Sequence, residues 1–207
     1  MEPFEIVETR AWVGRAVVGL NLCPFAKAPF AKAQIRYVLS AATEPEALLT
    51  QLVAEMQWLA AADPNEVETT LLIHPGLLGD FLDFNDFLEL ADAALDACDL
   101  SGTLQVASFH PQFQFAGTDP DEVANATNRS PYPTLHLLRE DSVTRAVAAF
   151  PEAEAIFDVN IDTLEALGAA GWTELQAQCR ADAVAAVAAG VAVAALAVPG
   201  PNPPAAR

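Results

Sequence analysis

The chain has 207 residues, 53% of them hydrophobic, and a formal net charge of −18. That length suits one domain with a sizeable core and room for an appendage, and so acidic a chain repels nucleic-acid backbones. Three cysteines, Cys23, Cys98 and Cys179, without a CxxC pair argue against a disulfide framework; with an acidic, non-secretory start at Met1-Glu2-Pro3-Phe4-Glu5, a reducing, cytoplasmic setting is expected.

Residues 4–21 read as a helix, with Ile6, Val13, Val17 and Leu20 near helical spacing and Trp12 beside them. Asn21 is a C-terminal signal, and Cys23-Pro24-Phe25 makes a turn. Residues 34–40 are rich in β-branched and aromatic side chains and form a first expected strand. Helix 44–61 follows, with Leu48, Leu52, Met56 and Leu59 as its stripe, then strand 68–73, nearly all apolar at its end as a buried strand is. Helix 80–100 is the clearest element: Phe81, Phe84, Leu88, Ala91, Leu95 and Cys98 step by three and four, with Asp80 at the N-cap and Asp83 in the first turn. Residues 103–109 form a third strand.

A long polar loop separates this strand from an expected helix at 134–150, with a short helix at 160–167 closed by Gly168. The Ala/Val run 183–198, sixteen residues long, is short for a membrane span. Strands separated by crossover helices predict an α/β fold: a small, three-stranded, mainly parallel sheet with flanking helices and a helical C-terminal region. An α+β sheet with an antiparallel member is the alternative. The expected division is one α/β domain over 1–178 and an Ala/Val-rich helical or disordered tail over 179–207.

Chemistry concentrates where two apolar runs each end in His-Pro: Leu71-Leu72-Ile73-His74-Pro75 and Ala107-Ser108-Phe109-His110-Pro111. In a parallel sheet, ligands meet the loops at the carboxyl ends of strands. His74 and His110 are therefore candidate acid/base groups or, with Asp83, candidate ligands of a divalent zinc, manganese or iron ion, although their spacing matches no compact metal motif. Cys23 is the candidate nucleophile, expected beside them at one end of the sheet; the alternative is a packed cysteine. His136, early in the expected helix 134–150, is either a site residue or a partner of a neighbouring carboxylate.

The candidate substrate-binding groups lie in the loop. Gln112 and Gln114 alternate with Phe113 and Phe115, leaving amides on one face of an extended segment. Asn128, Arg129 and Ser130 stand just ahead of the expected helix, where backbone N–H groups and a guanidinium suit an anion. Arg129 is also the first basic residue after Arg36, across a stretch holding sixteen Asp and Glu. The ordinary alternative for each is a structural hydrogen bond, and for the charges a solvated acidic surface with scattered counter-ions.

Five segments carry a family resemblance: Asn21-Leu22-Cys23-Pro24-Phe25-Ala26, Thr70-Leu71-Leu72-Ile73-His74-Pro75, Asp83-Phe84-Asn85-Asp86-Phe87, residues 109–118 from Phe109 to Thr118, and Asn128-Arg129-Ser130-Pro131-Tyr132-Pro133. Together they resemble the family called domain of unknown function 1415, over about residues 5–173. That resemblance implies a soluble intracellular protein and supplies no catalytic roles. The residues themselves point to an enzyme acting on a small anionic molecule through a His/Cys/Asp site, by metal-assisted hydrolysis if the divalent ion is present. A non-catalytic ligand-binding or regulatory protein is the alternative. Nucleic acid and membrane are not expected partners.

Overall fold

The structure, a computed structural model, describes residues 2–150 and 152–190. Four strands form one sheet: β1 (Ile35–Leu39), β2 (Thr69–Ile73), β3 (Leu104–Phe109) and β4 (Thr134–Arg139), in the spatial order β1-β2-β4-β3. β1 and β2 are parallel, and β4 runs antiparallel to both β2 and β3. The sheet is thus mixed and four-stranded, where three mainly parallel strands were expected.

The helix expected over 134–150 is replaced by β4 and a helix, Glu140–Ala149. The reason lies in β4's position. Leu135 and Leu137 enter the core on one face, while Thr134 and His136 occupy the other, so both sides of the segment are covered. Pro131 and Pro133 also bias the residues before them toward extended backbone.

Among the described residues six α-helices accompany the sheet: α1 (Phe4–Trp12), α2 (Lys27–Ala31), α3 (Pro45–Ala61), α4 (Phe81–Ala97), α5 (Glu140–Ala149) and α6 (Ile156–Ala189). The alternation of β2 separates two apolar layers. Leu72 faces α3 and α4, among Leu48, Leu52, Met56, Phe84 and Leu95. Leu71 faces α1 and α6, among Val7, Trp12, Leu164 and Trp172. Each fully buried leucine in these layers contributes roughly 1.5–3 kcal/mol from apolar burial.

Local signals explain the helix ends. The Asp80 carboxylate accepts the backbone N–H groups of Leu82 and Asp83, as its N-cap position predicts. Asn21 takes a left-handed conformation with φ 58°. Ahead of it the first helix widens into a π-helical stretch, Val13–Val18. Arg139 Nη2 lies 2.8, 2.9 and 3.1 Å from the carbonyls of Leu59, Ala62 and Val67, a cationic cap on the end of α3.

Gly168, expected to close a short helix, does interrupt helical backbone, with φ 71° and ψ 166°. The chain then resumes as helix and runs through residue 179 without a break. Residues 179–189, expected to open a helical or disordered tail, are helical, and Cys179, Ala183 and Ala186 are buried against α1 and its neighbours. Residues 191–198 of the Ala/Val run lie outside the described residues. Among those described, no helix is long and apolar enough to cross a membrane.

Candidate functional site

His74 and His110 meet at the carboxyl edge of β2 and β3. Their strands are not neighbours, because β4 lies between them, and Thr134 pairs with both Ile73 and Phe109. Both imidazoles nevertheless flank one ring. The Phe84 centroid lies 5.6 Å from His74 and 5.1 Å from His110. Their rings therefore belong to one cluster on the α4 side of the sheet, and both histidines are fully buried.

The hydrogen bonds define their tautomers. His74 Nδ1–H donates to the Leu77 carbonyl at 3.1 Å, leaving Nε2 unprotonated and without a partner. His110 Nε2–H donates to the Leu78 carbonyl at 3.1 Å, while Nδ1 accepts the Gln112 N–H at 3.0 Å. The two rings thus pin successive carbonyls of the β2–α4 connection. Burial disfavours their charged forms: His74 is pushed down to about 4, and His110 is also lowered, with Asp80 partly offsetting its shift.

The remaining members expected here are elsewhere. Cys23 packs against the α1/α6 layer, on the opposite face of the sheet, and burial raises its thiol pKa. It is neither adjacent to the histidines nor activated. Asp83 points to solvent from the first turn of α4. Among the described residues, no group of three or more His, Cys, Asp or Glu side chains is placed to hold a metal ion, so the centre expected from His74, His110 and Asp83 does not assemble. His136 sits in β4 rather than in a helix. The Thr69 hydroxyl donates to the Leu137 carbonyl at 2.5 Å and accepts His136 Nε2–H at 2.7 Å. Burial pushes His136 to about 4.

The loop from His110 to Pro133 largely spends its polar groups on its own backbone. Asn125, fully buried, accepts the Phe115 N–H and the Thr118 hydroxyl and donates to the Asp119 carbonyl, all at 2.9 Å. Arg129 donates from Nε to Phe113 O at 3.0 Å and from Nη2 to Pro120 O at 2.7 Å. It follows a short 3-10 helix (Val123–Asn128) and precedes a strand, so the helix N-terminus expected ahead of it is absent. Gln114 donates to the Thr118 carbonyl, Ser130 to the Tyr132 carbonyl, and the Asn128 carbonyl accepts the His110 N–H. Gln112 alone of this set has an exposed side chain.

The cations do not gather at one point. Arg10, Arg15 and Arg36 pair with Glu2, Asp182 and Glu55.

A second constellation was not read from the sequence. Between α1, α6 and the segment Ser130–Tyr132 lies a cleft of about 320 Å³. At its wall the buried Glu8 carboxylate accepts the Tyr132 hydroxyl at 2.5 Å. The same carboxylate meets Arg180 Nη1 at 3.3 and 3.4 Å. The Arg180 side chain is 66% exposed and has no other protein partner among the described hydrogen bonds. Trp12 and Cys179 also line the cleft, and the Trp12 indole N–H is buried without an acceptor. Desolvation and the neighbouring Glu8 raise the Tyr132 pKa, keeping its phenol protonated; burial pushes the Cys179 thiol up to about 12. One sequence signal for this site exists: Glu8 stands four residues before Trp12, a charge on the apolar stripe of a helix.

A family model described as "Protein of unknown function (DUF1415)" matches residues 5–174. Glu8, Trp12, Ser130 and Tyr132 fall inside the match, and Arg180 lies beyond it. No curated protein and no solved structure matches the chain.

Proposed function

The chain belongs to the DUF1415 family, whose description assigns no activity, and we propose that it binds and acts on a small molecule bearing an anionic group, in the cleft formed by Glu8, Tyr132 and Arg180. The observation that carries this reading is a buried carboxylate opening onto a cavity, paired with a phenol and a guanidinium. Buried carboxylates are rare outside paired or functional settings, and concave sites with a few convergent polar groups are the usual small-molecule sites.

Each group has a role. Arg180, at the mouth, offers Nε and Nη2 to a carboxylate or phosphate. Glu8 is the base. Tyr132, held protonated, donates its hydroxyl proton to Glu8 and fixes the orientation of that carboxylate. The anion anchor is thus Arg180, since Arg129 is committed to loop carbonyls.

The test is a thermal-shift screen of carboxylate- and phosphate-bearing metabolites, followed by titration calorimetry. A ligand at a hundredfold its Kd stabilises the fold by about 2.7 kcal/mol. Binding should fall in Arg180→Gln and Tyr132→Phe. Ligands whose affinity ignores both substitutions, and Glu8→Gln as well, would refute the cleft as the site.

A second reading rests on the unpartnered Nε2 of His74. A histidine whose other nitrogen is fixed by a carbonyl is oriented as a base, and His110 flanks the same Phe84 ring beside it. Loss of turnover in His74→Asn with ligand affinity retained supports that reading; full activity in the variant removes it.

A further inference from the structure

We infer that the ligand of the Glu8–Tyr132–Arg180 cleft is a zwitterion of the amino-acid type, its ammonium group on Glu8 and its carboxylate on Arg180. This rests on the cleft being the functional site, as proposed above, and adds the chemical class.

Charge placement is the argument. Among the residues lining the cleft, Glu8 and Arg180 are the charged pair. The negative member is buried in the wall and the positive member stands at the mouth. Their contacts, 3.3 and 3.4 Å, are longer than the roughly 2.7–2.9 Å of a tight charge-assisted hydrogen bond. A ligand with separated charges can therefore replace this loose pair with two direct ones and leave the net charge of the cleft unchanged.

A purely anionic ligand would satisfy Arg180 and set its remaining atoms against the Glu8 carboxylate. The Tyr132 hydroxyl already donates to Glu8 and holds the carboxylate in place at the wall of the cleft. Trp12, whose indole N–H is buried without a partner, lines the same cleft. Trp12, Pro131 and Ala177 give the cleft an apolar side, which suits a hydrocarbon substituent between the charged ends.

The experiment uses the full chain at neutral pH and titration calorimetry with the twenty common amino acids. The tightest binder is then compared with its analogue lacking the amine and its analogue lacking the carboxylate. The expected result is an amino acid bound roughly ten- to hundredfold more tightly than either analogue, the loss of one charge-assisted hydrogen bond in each case. Glu8→Gln should remove the advantage over the des-amino analogue, and Arg180→Gln the advantage over the decarboxylated one. Arg180 is largely exposed, so its variant keeps the fold, and thermal melts establish folding of both.

Equal binding of the des-amino acid overturns the zwitterion and leaves an anion-binding cleft. Binding of no amino acid overturns it as well. In that case the metabolite screen decides separately whether the cleft binds anything, so the two failures are told apart.

Discussion

Replacing His74 with asparagine should flatten part of the acid side of the stability profile. The His74 pKa is pushed from 6.5 to about 4 in the folded chain, chiefly by desolvation. The sign follows from proton uptake. Between these values the unfolded chain takes a proton that the folded chain refuses, so stability rises with pH. The contribution is complete above about 6.5, is lost as pH falls toward 4, and changes no further below that. At about 1.36 kcal/mol per pKa unit, the whole shift is worth about 3 kcal/mol, of which about 2 kcal/mol is lost by pH 5. Against a typical domain stability of about 5–15 kcal/mol this is a large share.

Asparagine can place its amide nitrogen near the position of Nδ1 and keep a donor for the Leu77 carbonyl, while removing the titrating group. The lost stacking on Phe84 lowers stability at both pH values and cancels in the comparison. The assay is urea unfolding of both proteins at pH 7 and pH 5. The wild type should lose about 2 kcal/mol more than His74→Asn between those conditions. Equal losses would refute the reasoning, showing that His74 finds a partner for its second proton or is hydrated in the folded state.

Two further substitutions and one truncation test the structural assignments. Asn125→Ala removes two accepted and one donated hydrogen bond from the buried centre of the 110–133 loop and should cost about 2–3 kcal/mol in urea unfolding; a loss below about 0.5 kcal/mol would show that water replaces the amide. Arg129→Lys keeps the charge but not the two-pronged reach to Phe113 O and Pro120 O, so stability should drop by about 1–2 kcal/mol while affinity for any cleft ligand is unchanged; altered ligand affinity at constant stability would restore Arg129 as an anion anchor. Ending the chain before Ala183 removes buried Ala183 and Ala186 from the α1–α6 contact, for about 2 kcal/mol and a fall of several degrees in Tm; an unchanged Tm would mean that α6 needs nothing beyond residue 182.

The fold was legible wherever one period ran between clear stops. The stripe of α3, the Asp80 cap, the apolar ends of β2 and β3, and Gly168 as an interruption stand in the sequence as they stand in the structure, and on α4 Phe84, Ala91 and Leu95 are buried as read while Phe87 and Ala94 join them. β4 was hidden because no turn residue separates Arg139 from Glu140, so strand and helix read as one helical segment. The placement of His74 and His110 in one cluster was legible from their matching His-Pro contexts, and their burial was not. The Glu8 cleft joins residues 124 and 172 positions apart in sequence, a proximity created by the docking of both the 130–132 segment and α6 on α1. Glu8 in an apolar stripe was its one visible trace.

The antiparallel insertion of β4 has a consequence for how the chain is born. β2 and β3 cannot pair with each other directly; each waits for the strand that comes between them. During synthesis β3 is complete at Phe109, and β4 begins only at Thr134. At roughly 5–20 residues per second, that gap lasts about 1–5 s on the ribosome. Throughout it the nascent chain carries two strands with open edges, the form of β-structure most prone to pairing with another molecule. Ribosome-bound chains ending near residue 130 should therefore recruit chaperones more strongly than chains long enough to have released residue 139.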